Sequence, residues 1–169
     1  MSYKILIVDD EPANLRALER LFRQQNDVLT ANSAAEALEL LNHHDVALLI
    51  TDQRMPGVTG IELLKRTMSI RPQMVRIILT GYTDVEALVE AINCGAVYRY
   101  VTKPWGNEDL RVTVKRALEH FETNKKRHEL QLTNERLISL LHQIRDLANL
   151  EAADELEGDF IPQGTALVG

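Results

Sequence analysis

The clearest pattern in the chain is a series of short, nearly unbroken apolar runs. Ile5-Leu6-Ile7-Val8, Val46-Ala47-Leu48-Leu49-Ile50 and Val75-Arg76-Ile77-Ile78-Leu79 each read as a strand covered on both faces. Val28 to Ala31 is a shorter, polar-flanked second strand and belongs nearer a sheet edge. Val97 to Val101 supplies a fifth. Continuous rather than alternating apolar runs favour a parallel sheet sandwiched between helices.

Helix starts separate these runs. Pro12 suits a first helical position. Ser33 with Glu36, Thr59 with Glu62 and Thr83 with Glu86 all have the spacing of a capping box. Gly95 stands where the fourth helix needs a left-handed residue to end. The order is five βα units, and right-handed crossovers then give a doubly wound, five-stranded parallel α/β sheet of the flavodoxin-like type. Ligand sites in such sheets lie at the carboxyl ends of the strands.

The fifth helix begins near Asn107 and has no obvious stop, because no Gly or Pro occurs from there to Glu157. Leu137, Leu140, Ile144 and Leu147 repeat at alternating spacings of three and four, whereas Lys125-Lys126-Arg127-His128 interrupts the apolar pattern. This reads as one long helix, or two joined, whose distal half has an apolar seam with nothing left to pack on. Such a seam predicts a coiled coil with another chain, a homodimer; the competing arrangement folds it back on the α/β domain. Glu151, Asp154, Glu155, Glu157 and Asp159 then follow without a base. The resulting division is 1–122 for the α/β domain, 123–150 for the helical extension, and 151–169 for an acidic flexible tail or linker.

Composition narrows the function. Nineteen Lys and Arg against 25 Asp and Glu leave the 169 residues at net −6, which argues against charge-driven nucleic-acid binding. The basic positions on the long helix are interleaved with Glu119 and Glu122, as on a solvated face. One cysteine, Cys94, precludes an internal disulfide and suits a reducing compartment. No signal-peptide pattern opens the chain, and no apolar run approaches the roughly 20 residues that span a bilayer. The expectation is a soluble cytoplasmic protein.

The chemistry lies at the strand ends. Asp9 and Asp10 end the first strand, Asp52 the third, Thr80 the fourth and Lys103 the fifth. Each alone is an ordinary cap or turn residue; together they converge on one sheet edge. Three carboxylates in one pocket repel and need a cation. Lys103 supplies one, and oxygen-only ligation with phosphate nearby points to Mg²⁺. A carboxylate beside Mg²⁺ can attack phosphorus, with the metal, Lys103 and the Thr80 hydroxyl holding the phosphoryl oxygens. His43-His44 reads as a helix-end pair, and Trp105 and Met55 as packing residues.

These residues resemble the receiver domain of two-component response regulators. The resemblance runs from Tyr3 to about Phe121. It rests on Ile5-Leu6-Ile7-Val8-Asp9-Asp10-Glu11-Pro12, Asp52-Gln53-Arg54-Met55-Pro56-Gly57, Leu79-Thr80-Gly81 and Lys103-Pro104-Trp105, in that order. It implies that Asp52 accepts a phosphoryl group from a histidine kinase or phosphotransfer protein. It implies that Asp10 holds Mg²⁺ directly and Asp9 mainly through water, with the Arg54 backbone carbonyl as a further ligand. Thr80 would be the switch hydroxyl, Lys103 the phosphoryl-pairing lysine and Tyr100 the rotating aromatic, inward when active and outward when inactive. A cis bond is implied between Lys103 and Pro104. Arg54 and Tyr82 would tune the lifetime of the acyl phosphate. Enzymatic activity is limited to self-phosphorylation from small donors and autodephosphorylation.

Other readings are weaker. An Mg²⁺-dependent phosphohydrolase would carry its nucleophile after the first strand and a substrate cap. A nucleotide binder would want a Gly-rich loop where Asp9-Asp10-Glu11-Pro12 stands. The ending Ala166-Leu167-Val168-Gly169 is similar to the entry to the ATPase domain of enhancer-binding activators. Tyr98 to Trp105 is similar to receivers of such activators and of cyclic-dinucleotide phosphodiesterase regulators. The chain is therefore either a stand-alone receiver or the front of a longer regulator.

Overall fold

The computed structural model describes residues 2–81, 85–158 and 164, without the side chains of 157 and 158. The order is β1 (Lys4–Val8), α1 (Pro12–Phe22), β2 (Asp27–Ala31), α2 (Ala34–His43), β3 (Leu48–Asp52), α3 (Gly60–Ile70), β4 (Val75–Thr80), α4 (Val85–Asn93), β5 (Arg99–Thr102) and α5 (Asn107–Gly158). The five strands are all parallel and lie in the order β2-β1-β3-β4-β5, so β2 is an edge strand as its polar flanks predict.

The strands alternate their side chains between two apolar layers. Leu6, Val8, Leu49 and Ile78 pack with Ala37 and Leu41 of α2, Ile61 and Leu64 of α3 and Ala91 of α4. Ile5, Ile7, Leu48, Ile50, Ile77 and Leu79 face the other way, against Leu18 and Phe22 of α1 and Leu110, Val114 and Phe121 of α5. Most of these strand residues are fully buried. Each such aliphatic side chain contributes about 1.5–3 kcal/mol relative to exposure.

Two strands begin later than their apolar runs. Val46 and Ala47 are buried, yet the ladder with β1 starts at the Ile5–Leu48 pair. Val97 is likewise a core residue ahead of β5, whose pairing with β4 starts at Arg99. Inter-strand hydrogen bonds nevertheless begin before the paired registers: Ala47 N–H donates to the Lys4 carbonyl at 3.0 Å, and Tyr98 N–H to the Arg76 carbonyl at 2.8 Å.

The caps follow the sequence with one variation. Thr59 and Glu62 form a complete capping box on α3. Ser33 Oγ accepts from the Glu36 N–H at 3.2 Å, but Glu36 reaches one residue further back to the Asn32 N–H at 2.7 Å. Gly95 has φ +79°, the left-handed conformation expected of a helix stop. The Thr83–Glu86 box falls on Thr83, outside the described residues.

Contacts divide the chain into unit 1, residues 1–125, and unit 2, residues 126–169. α5 is one helix through Gly158, and the acidic segment from Glu151 therefore begins inside it. No helix breaker occurs before Gly158, and Glu, Ala and Leu are good helix formers. The exposed apolar residues of unit 2 include Leu130, Leu137, Leu140, Leu141, Ile144 and Leu147.

Two local contacts hold unit 1 around β4 and β3. Arg76 is buried, and its guanidinium donates to the carbonyls of Thr67, Arg71 and Met74 at 2.6–2.9 Å and to Thr67 Oγ1 at 2.8 Å. The Thr67 and Arg71 carbonyls at the C-terminal end of α3 also accept the N–H groups of Arg71 and Met74, so Arg76 adds a charged donor to each. Burial lowers the Arg76 pKa to about 10, so it stays protonated at neutral pH. The N-terminus of α3 lies directly on the chain after β3: Gly60 N–H donates to the Gln53 carbonyl at 3.0 Å, and a Cβ at Gly60 would overlap the Asp52 carbonyl oxygen.

Arg76→Met should lower the unfolding free energy by about 3 kcal/mol, because buried carbonyls lose charged donors. Urea denaturation measures it, and a loss below about 0.5 kcal/mol would remove this role. Gly60→Ala should cost about 2 kcal/mol or more in the same assay, since backbone must move to admit one methyl.

Candidate functional site

Unit 1 brings the polar strand ends together. Asp9 and Asp10 follow β1, Asp52 and Thr80 are the last residues of β3 and β4, and Lys103 follows β5. A carboxylate oxygen from each of Asp9, Asp10 and Asp52 falls within 4.8 Å of the others. This is the one such group of three potential metal ligands among the described residues. Asp9 and Asp52 are buried and Asp10 is exposed, so the cluster opens to solvent on one side. Lys103 Nζ is 2.6 Å from Asp52 Oδ1 and 3.8 Å from Asp9 Oδ2.

Each group is positioned by its own local chain. Asp9 Oδ1 accepts the backbone N–H of Glu11 at 2.9 Å, and its Oδ2 accepts the Asn14 amide at 3.0 Å. Both donors come from the turn into α1. Burial raises the Asp9 pKa above its ordinary value, with the Asp52 charge adding to the effect. The Glu11 N–H, Lys103 and Asn14 oppose it. Gln53 N–H bonds the Leu79 carbonyl at 3.0 Å, and Gln53 Oε1 accepts the Ile61 N–H at 2.9 Å. The residue after Asp52 thus ties β3 to both β4 and α3. Lys103 N–H bonds the Thr80 carbonyl at 2.9 Å, and the Lys103–Pro104 peptide is cis.

The arrangement has a clear chemistry. Its oxygens are hard donors with surplus negative charge, and only one lysine opposes three carboxylates. That donor set fits a divalent hard cation, with Asp9, Asp10 and Asp52 as the residues able to hold it. A carboxylate held beside a lysine, at an opening to solvent, can act as a nucleophile toward an anionic electrophile once the repulsion is neutralised.

The remaining predicted residues occupy the surroundings. Thr80 is buried beside this group at the end of β4. Arg54 is exposed in the loop after β3, and Met55 beside it is in the core. Tyr100 lies on β5 opposite Ile78 and is 47% exposed. Trp105 packs against the core layer that includes α1 and α5. Tyr82 lies outside the described residues. Asn14, Gln53 and Gly60 were not singled out by the sequence. The contacts that give them a role at the site are made by folding; the only advance signals were Gln53 beside Asp52 and Asn14 one helical turn beyond the acidic pair.

No helix is long and apolar enough to cross a membrane among the described residues. Comparison with known proteins agrees with the geometry. Residues 5–115 match the response regulator receiver domain. The hydrogenase transcriptional regulatory protein HoxA of Cupriavidus necator is 37% identical over 155 residues, covering 90% of this chain and 32% of that protein. The transcriptional regulatory protein GlrR of Escherichia coli is 34% identical over 165 residues, covering 94% of this chain and 37% of that protein. The crystal structure of a signal receiver domain from an HD domain-containing protein of Pseudomonas fluorescens aligns with TM-score 0.71 and 35% identity, over 75% of this chain and 93% of that one. The chain spans about a third of the length of the curated relatives. With that match over a five-stranded parallel sheet whose strand ends gather acid, hydroxyl and lysine, the chain belongs to the response regulator receiver domain family of two-component signalling.

Proposed function

We propose that Asp52 is the phosphoryl acceptor of this receiver and that a histidine kinase or phosphotransfer protein is its donor. The observation that carries the reading is the buried Asp52 carboxylate, 2.6 Å from Lys103 Nζ and clustered with Asp9 and Asp10. An Asp52 oxygen attacks the phosphorus of a phosphohistidine; the P–N bond breaks and an acyl phosphate forms. Asp9, Asp10 and Asp52, with the Arg54 carbonyl, would hold Mg²⁺, which would supply positive charge toward the phosphoryl oxygens. Lys103 exchanges its carboxylate partner for a phosphoryl oxygen, and the Thr80 hydroxyl donates to another. The chain's own reactions are limited to self-phosphorylation from small donors and autodephosphorylation, in the cytoplasm.

The response follows from the new bonds. Drawing Thr80 toward the phosphoryl group shifts the chain after β4, and Tyr100 turns from its exposed position into the space released. The surface made by α4, β5 and the first part of α5 is a two-state packing element biased by one modification. Exposed Val85, Val89, Ile92 and Tyr100 on α4 and β5 give that surface an apolar character. Its outputs are a change in homodimerisation through the helix beyond residue 122 and, in a longer protein, control of a transcription activator. The second output is supported by HoxA and GlrR, both named as transcriptional regulators.

Asp52→Asn should abolish incorporation of phosphate from acetyl phosphate and Mg²⁺, read by intact-protein mass spectrometry. Undiminished incorporation assigns the acceptor elsewhere. Lys103→Ala should retain the far-UV spectrum but remove the phosphorylation-dependent change in the Tyr100 ring resonances. A response equal to the parent's removes Lys103 from the switch.

A further inference from the structure

The distal helix contains more information than an apolar seam. Between Lys126 and Glu151 the spacing fixes one heptad frame. Leu130, Leu137 and Ile144 occupy its a positions, and Thr133, Leu140 and Leu147 its d positions. The five aliphatic members are 48–65% exposed among the described residues. The next core position before the seam, a d, is Lys126, and the next one after it, an a, is Glu151. The seam is thus closed at one end by a cation and at the other by an anion, both in the frame of the core.

We infer that this helix pairs with a second copy of itself in antiparallel orientation. The inference rests on the homodimer proposed above and adds its direction. In a parallel pair every core residue meets its own counterpart. Lys126 would then face the partner's Lys126, and Glu151 the partner's Glu151, a like-charge layer at each end. In an antiparallel pair, a residues meet d residues. Leu130 packs on the partner's Leu147, Thr133 on the partner's Ile144, and Leu137 on the partner's Leu140, each layer occurring twice by symmetry. The same register places Lys126 opposite the partner's Glu151 at both ends. One register therefore fills all six layers of the seam, four wholly aliphatic and two pairing Thr133 with Ile144, and converts two repulsive layers into two attractive ones. The residues outside the seam extend the pattern: Lys125 and Arg127 lie at one end, and Asp154 and Glu155 at the other.

Cross-linking in the full chain tests the direction. Cys94 is exposed and is first replaced by Ser. In that background, Leu130→Cys and Leu147→Cys are prepared separately, oxidised alone and oxidised as a mixture. The expected result is a covalent dimer from the mixture and none from either variant alone. Dimers from each variant alone overturn the antiparallel direction while leaving the homodimer in place. A monomer mass by light scattering for the unsubstituted chain, with and without beryllofluoride and Mg²⁺, overturns both. A charge exchange provides a second reading that leaves the seam intact. Lys126→Glu and Glu151→Lys should each weaken dimerisation about tenfold, and together they should restore it. Equal dimerisation in all four forms overturns the proposed pairing, because in a parallel pair each substitution only replaces one like-charge layer with another.

Discussion

Negative charge at the carboxyl edge of the sheet is the constraint on which the rest of unit 1 depends. Three carboxylates share a space in which their oxygens come within 4.8 Å, and two of them are buried. Such a group stays ionised only against compensating charge or hydrogen bonds. Lys103 meets Asp52 at 2.6 Å, and backbone and amide donors hold Asp9. The balance is incomplete by design of the residues: one lysine opposes three acids, so the site favours arrival of a cation. Phosphoryl transfer to Asp52, as proposed, would alter the same balance in the opposite sense, with Lys103 and Thr80 as the proposed responding groups.

The sheet makes this arrangement rigid. The charged residues end or follow β1, β3 and β5, so distances within the site are set by ladder register and by the two apolar layers. Helix termini close the structure around it. The turn into α1 supplies two donors to Asp9, and the first turn of α3 sits on the Asp52–Gln53 backbone where Gly60 leaves no side chain between them. At the opposite end of α3, Arg76 supplies donors to carbonyls around its last turn. One helix is thus anchored at both ends by residues of β4 and the chain after β3. α4 is tied to α3 more weakly, through an exposed Lys65–Glu90 pair at 2.5 Å.

Much of this was legible because burial and backbone conformation leave local signatures. Ile5 to Val8 and Leu48 to Ile50 are apolar without alternation because both faces are covered. Pro12, Thr59 and Gly95 mark helix limits through constraints that act within a few residues. Strand starts were less legible, since Val46 and Val97 are buried core residues just ahead of the first inter-strand hydrogen bonds, which are made by Ala47 and Tyr98. The Ser33 cap differs because Glu36 has a choice of backbone donors and takes Asn32. Helical propensity carries α5 through the acidic residues to Gly158, although their charge alone reads as a solvated tail. Asn14, Gln53 and Gly60 gain their significance from residues brought near by folding, which spacing does not report.

As proposed above, the Asp52 pocket is a cation-dependent phosphoryl site. Fluorine NMR of the full chain with beryllofluoride tests it most directly, because this species adopts the geometry of a phosphoryl group on a carboxylate. A protein-bound fluorine signal that requires Mg²⁺ and is absent in Asp52→Asn is the expected result. A bound signal that persists in that variant, or no bound signal at saturating Mg²⁺, would contradict it.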